Sequence, residues 1–156
     1  MPDIFSPETR SRMMSGIRSK NTSPELFLRY ALHRMGFRYR LHVNSLPGKP
    51  DMVFPIRRAV IFVHGCFWHG HNCHLFKWPS SHADFWRKKI ESNRKHDIMI
   101  SAELNRAGWR VLTVWECAVK GKYRLAKGRV LDMAANWLSE GQDNMDLTGV
   151  DSVYIN

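Results

Sequence analysis

The apolar positions of the chain change period several times, and each change marks an element. Ser6-Pro7-Glu8 reads as a helix start, and up to residue 18 Met13, Met14 and Ile17 interleave with Arg10, Arg12 and Arg18. Thr22-Ser23-Pro24-Glu25 offers a capping box, or a serine cap followed by proline; Leu26, Leu28, Ala31, Leu32 and Met35 then recur at near-helical spacing until Gly36. From Phe37 to His42 the period falls to two, aromatic or apolar against basic, which predicts a strand with one wet face. Asn44 to Pro50 is turn chemistry, Asp51 to Phe54 a strand that begins with an acid, and residues 58–64 a further strand about a turn at 55–57. Residues 37–64 therefore predict three short strands in an antiparallel meander.

Residues 82–107 form the longest helical pattern, with an inner stripe of Trp86, Ile90, Asn93, Asp97, Ile100 and Leu104 and a stop at Gly108. Two polar residues in that stripe, one turn apart, call for a buried polar site or polar neighbours. The strand at 109–115 follows at once, so the helix acts as a crossover and favours a parallel partner. A helix from Arg129 to Ser139 turns Val130, Leu131, Ala134 and Leu138 inward, and Val150, Val153, Tyr154 and Ile155 suggest an edge strand. The picture is of one α/β domain over residues 1–156, with an arm at 1–20 and a tail at 141–156; at 156 residues the chain can bury about two-thirds of its unfolded surface.

Charge adds a partner to this picture. The 24 Lys+Arg against 14 Asp+Glu give a formal charge of +10, which favours a polyanion whose phosphates release counterions on binding. Arg87, Lys88, Lys89, Arg94 and Lys95 form a basic belt on the long helix. The N-terminus lacks a basic segment followed by a long apolar run, and no apolar stretch approaches the roughly 20 residues of a membrane helix. The expectation is a soluble, cytoplasmic protein with reduced cysteines.

The chemistry is concentrated after the strand Ala59 to Val63, where His64, His69, His71, His74, Cys66 and Cys73 crowd around Phe67-Trp68. Thiolates and imidazoles at such spacing are the usual zinc ligands. Cys66, His71 and Cys73 supply three, and Cys117, just after the strand at 109–115, completes a Cys3His set tying two strand ends together; His69 or His74 is the alternative fourth ligand. A disulfide would leave one of the three cysteines over.

The hairpin about 55–57 carries Asp51 toward the Val63-His64-Gly65 end of its neighbour. Asp51, the Val63 carbonyl, His64 and His69 would converge there, and one acid with backbone oxygens and waters suits Mg²⁺. A turn-terminating aspartate is the bland alternative. Glu25, in a helix first turn, ordinarily complements the helix dipole and becomes functional only beside a metal site. Two large aromatics in a metal-anchored hydrophilic loop suit insertion into a base stack better than packing, and a methionine on the basic N-terminal helix could wedge a base step.

Together, Pro50-Asp51, Val60 to His69, His71-x-Cys73, Phe85-Trp86, Gly108 to Val111 and Trp115-Glu116-Cys117 resemble the bacterial very short patch repair endonucleases, over about residues 8–118. The resemblance implies a restriction-endonuclease-like α/β core, a mixed central sheet flanked by helices, with a structural zinc site. It also implies nicking of one DNA strand at a T·G mismatch left by 5-methylcytosine deamination. On this basis Asp51 is the Mg²⁺ ligand, His64 holds a metal-bound water, His69 is the general acid/base and Glu25 is a second acid; Cys66, His71, Cys73 and Cys117 hold zinc. Phe67, Trp68 and Trp86 enter the base stack, Met14 is the opposing wedge, and Lys89 lies in the DNA-contacting belt. A monomer is implied, acting beside the nucleoid with other mismatch-repair proteins as partners.

Two departures stand out. A member of that family has threonine where Val63 stands, so no hydroxyl acts there, though a main-chain carbonyl role survives. The broader superfamily follows its Pro-Asp with an acid-x-Lys motif, and here that position reads Phe62-Val63-His64, so no lysine mechanism is expected. The rival readings are a restriction-type or nicking endonuclease of other specificity, a histidine-metal finger nuclease, and a non-catalytic zinc-stabilised DNA-binding module.

Overall fold

The computed structural model describes residues 22–150; the first predicted helix, Met14 and most of the expected 150–155 strand lie outside this range. Thr22 caps α1 (Ser23–Arg34), its hydroxyl accepting the Glu25 N–H at 3.4 Å, with Pro24 in the first turn and Gly36 leaving the helix at φ 101°. There follow β1 (Arg40–Leu41), β2 (Met52–Phe54), β3 (Ala59–His64), α2 (Ala83–Arg106), β4 (Arg110–Trp115), α3 (Glu116–Val119), α4 (Lys127–Glu140) and β5 (Met145–Leu147).

The strands form one sheet in the order β1-β2-β3-β4-β5, antiparallel from β1 to β3 and parallel from β3 to β5. This is the expected meander joined to a crossover. Each crossover puts its helices on a sheet face, so β3 and β4 are covered on both sides and consist of almost unbroken apolar residues. On one face Leu28 and Leu32 of α1 and Val130, Ala134 and Leu138 of α4 pack with Met52, Phe54, Ile61, Leu112 and Val114. On the other, Ile100 and Leu104 of α2 meet Val53, Val60, Phe62 and Val111. The mixed five-stranded sheet with flanking helices is the restriction-endonuclease-like architecture expected.

Two predicted elements differ. Only Arg40 and Leu41 of the 37–42 run pair as strand, because Phe37 turns into the core against Phe54. The edge strand lies earlier than expected, at Met145–Leu147, where Leu147 is buried beside Val114. A lone burial contact in a polar segment carries no period for sequence to reveal. Met35, expected inward, caps α1 and is exposed. Among the described residues no helix is long and apolar enough to cross a membrane.

Candidate active site and metal centre

The β2–β3 hairpin register, Phe54 opposite Ala59 and Met52 opposite Ile61, carries Asp51 one step past the last pair. Its Oδ2 accepts the backbone N–H of Val63 at 2.7 Å. The first turn of α1 brings Glu25 to the same place, only 1% exposed, as against 8% for Asp51. Glu25 Oε2 takes a hydrogen bond from Arg29 Nη1 at 3.2 Å and lies 3.4 Å from His42 Nε2. One ligand atom each from Glu25, His42 and Asp51 lies within 4.8 Å of the others. Burial pushes the Asp51 carboxyl up to about 7; the Val63 N–H opposes this, and the neighbouring Glu25 charge adds to it. Two buried carboxylates in contact are what a bound divalent cation neutralises, so the donor set fits one.

His64, the next residue of β3, belongs to a second group. His69 Nδ1 lies 2.7 Å from Asp97 Oδ2 of α2, and the His64 and His69 rings stack at 3.7 Å, only 2° from parallel. Burial above all, then the neighbouring His69, lowers His64 to about 3, with Asp97 opposing. His64 is therefore neutral at pH 7, and its buried Nδ1 has no partner among the described residues. Asp97 and Asn93 are the two polar members of the α2 stripe; Asn93 Nδ2 donates to the Trp68 carbonyl at 2.7 Å, and Arg94 Nε donates to that of Gly70 at 3.0 Å. The long helix thus fixes the loop that carries His69.

The expected convergence of Asp51, Val63, His64 and His69 is therefore resolved into two groups that adjoin through the Val63-His64 peptide. The Val63 contact to Asp51 is made through its N–H. Sequence reasoning misses two members of these groups as site residues. Asp97 stands out there only as a polar residue in an apolar stripe. His42 reads as the end of an alternating run; the signal that finds it is register, since Leu41 opposite Met52 puts His42 opposite Asp51.

At the loop's far end, ligand atoms of Cys66, His71, Cys73 and Cys117 gather within 4.8 Å of one another. His71 Nδ1 lies 3.6 Å from both Cys66 Sγ and Cys117 Sγ. Tetrahedral zinc with ordinary ligand lengths sets a sulfur-to-nitrogen edge of about 3.6 Å. The Cys117 N–H points at Cys66 Sγ and the Gly149 N–H at Cys117 Sγ, each at 3.3 Å, in the manner of donors that stabilise thiolates. The adjacent Cys117 thiol, then burial, pushes the Cys66 thiol up, and burial raises Cys73. Three such sulfurs ionise together only beside a cation, so this cluster could hold a metal ion. His74, the alternative ligand, packs edge-on to Tyr123 at 4.8 Å, outside the cluster.

Trp115 joins the metal cluster to the imidazoles, stacking on His71 at 4.1 Å and lying edge-on to His64 at 5.3 Å and to His69 at 6.1 Å, while the loop's own aromatics form a separate group. Phe67 lies 5.2 Å from Trp86 and 5.4 Å from Trp68, and Trp68 5.8 Å from Trp86. All three are part-exposed. Phe76 and Trp78, not singled out in the sequence, extend the group together with Phe85 of the Phe85-Trp86 pair, and Arg87 and Arg94 lie over Trp78. Lys89 is exposed on α2. Part-buried rings next to cations make a surface suited to bases and phosphates.

Known proteins match this chain. The family model for DNA mismatch endonuclease Vsr matches residues 2–75. A Type II nicking enzyme, V.XorIIP of Xanthomonas oryzae pv. oryzae, is 54% identical over 117 residues, 75% of this chain and 86% of the relative. DNA mismatch endonuclease Vsr of Escherichia coli is 41% identical over 138 residues, 88% of each chain, and Type II nicking enzyme V.NmeAIP of Neisseria meningitidis is 45% identical over 122 residues, 78% and 87%. Fold, site and relatives together define a DNA-cleaving hydrolase, a nicking endonuclease. The chain belongs to the Vsr family of DNA mismatch endonucleases.

Proposed function

We propose that this protein nicks one strand of duplex DNA at T·G mismatches arising from 5-methylcytosine deamination, acting as a cytoplasmic monomer in mismatch repair. The observation that carries the reading is the apposition of Glu25 and Asp51, two buried carboxylates, at the end of the strand whose next residues lead to His64 and His69. Asp51, Glu25 and the Val63 carbonyl would hold Mg²⁺, and Cys66, His71, Cys73 and Cys117 would hold structural zinc. Bound Mg²⁺ supplies positive charge against the developing pentacoordinate phosphate.

The chain's own residues supply the rest. Asp97 accepts from His69 Nδ1, which fixes the tautomer and leaves Nε2 to take or return a proton at the scissile phosphate. Neutral His64 offers its ring nitrogens to the attacking water. Phe67, Trp68 and Trp86 enter the stack beside the mismatch, where unstacking costs least, with Met14 of the arm wedging from the opposite side. Lys89 and the belt around it meet phosphates. The Asp97→Asn variant is expected to nick about 10²-fold more slowly in single turnover while binding DNA as before, because the amide misdirects the His69 tautomer. An unchanged rate would remove His69 as the proton-transfer group.

A second reading has support in the names of the nicking-enzyme relatives: the same site acting with another specificity. Duplexes differing only in T·G against T·A at one position decide between them. We expect roughly 10²-fold faster nicking of the mismatch, the equivalent of a few kcal/mol of unstacking. Equal cutting of both would end the repair assignment.

A further inference from the structure

We infer that His42 is a ligand of the cation held by Glu25 and Asp51, and that its imidazole tilts the site toward Mn²⁺ relative to Mg²⁺. The inference deepens the metal site just proposed and rests on it. His42 stands opposite Asp51 in the β1–β2 ladder, its N–H reaching the Asp51 carbonyl at 3.4 Å. Directly opposed residues in an antiparallel pair have Cβ atoms about 5 Å apart. Its Nε2 lies 3.4 Å from Glu25 Oε2, and the three donor atoms fall within 4.8 Å of one another. Glu25 reaches this point from α1 and Asp51 from the start of β2, so His42 completes a set drawn from three separate segments.

The chemistry of the set decides its preference. Mg²⁺ favours oxygen donors and retained water, whereas the transition ions accept imidazole readily; one nitrogen beside two carboxylates therefore shifts selectivity toward Mn²⁺. The competing account makes His42 a counter-ion to Glu25, a role Arg29 already fills at 3.2 Å. A counter-ion would hold Glu25 in place and leave no mark on a bound metal.

Titration of zinc-loaded full-length protein with Mn²⁺ and, separately, Mg²⁺ tests this, combined with electron spin-echo spectroscopy of the bound Mn²⁺. Wild-type protein should show nitrogen coupling to Mn²⁺. In His42→Ala and in His42→Gln that coupling should vanish and Mn²⁺ affinity fall about tenfold, with Mg²⁺ affinity falling clearly less. Thermal unfolding and zinc content identify any variant that misfolds, and the two substitutions serve as replicates of each other. Nitrogen coupling and Mn²⁺ affinity unchanged in a folded variant would overturn the inference. Asp51→Asn separates the two levels. Loss of Mn²⁺ binding there, with His42→Ala silent, defeats His42 alone, whereas retained Mn²⁺ binding in Asp51→Asn defeats the metal site itself.

Discussion

Replacing Asp51 by asparagine is expected to lower single-turnover nicking by about 10³-fold or more while leaving DNA affinity near that of the wild type. The amide keeps the shape of the side chain but removes the charge that would grip the metal, and loss of metal charge at a phosphoryl centre is worth several kcal/mol of barrier. The belt and the aromatic surface proposed to bind DNA lie on other elements. The same substitution should act on stability in the opposite direction. In the metal-free protein the Asp51 carboxyl stands at about 7, against an ordinary 3.8. Between those values the native state keeps a proton that the unfolded state has released, so stability falls as pH rises through that window. The side-chain amide of Asp51→Asn has no such proton to release. Thermal melts without Mg²⁺ should therefore show the wild type losing ground to the variant from about pH 4 to pH 7. Wild-type nicking by the variant, or parallel melting curves at all pH values, would end this account of Asp51.

How much of this is legible in the sequence follows the reach of each signal. The run Ala59 to Val63 and the stripe of α2 are local patterns, and both form where expected because apolar period alone decides them. The Cys/His set is readable because its chemistry is rare and three of its members sit within eight positions. Asp51 against Val63 follows from hairpin register. His42 does not, since it needs a second register, across a loop of unspecified shape. Nor does the division of the imidazoles from the acids. Asp51 is held at the Val63 N–H, whereas the His64 ring stacks on His69, which Asp97 of α2 holds, so convergence in sequence becomes adjacency through one peptide bond. The added rings at Phe76 and Trp78 depend on the path of a loop with no period at all.

The path of that loop is what Cys117→Ala should expose. Cys117 is the second residue of α3, just after β4, yet it touches three places: His71 at 3.6 Å, the Cys66 sulfur through its own N–H, and the Gly149 N–H through its sulfur. Alanine leaves two thiols and one imidazole, too few for a closed tetrahedral site. Structural zinc binding is folding energy, of the order of 10 kcal/mol in small zinc domains. Losing even a third of it would lower Tm by roughly 10 °C in a chain of this size. Zinc content should fall well below one per chain, and nicking should fall further than the unfolded fraction explains, because the loop carries Phe67, Trp68 and His69 between two of the ligands. His74→Ala is the matched control: outside the cluster, it should keep its zinc. Full zinc in the Cys117 variant together with loss in the His74 variant would move the fourth ligand to His74, and the sheet would then be clamped at one strand end only.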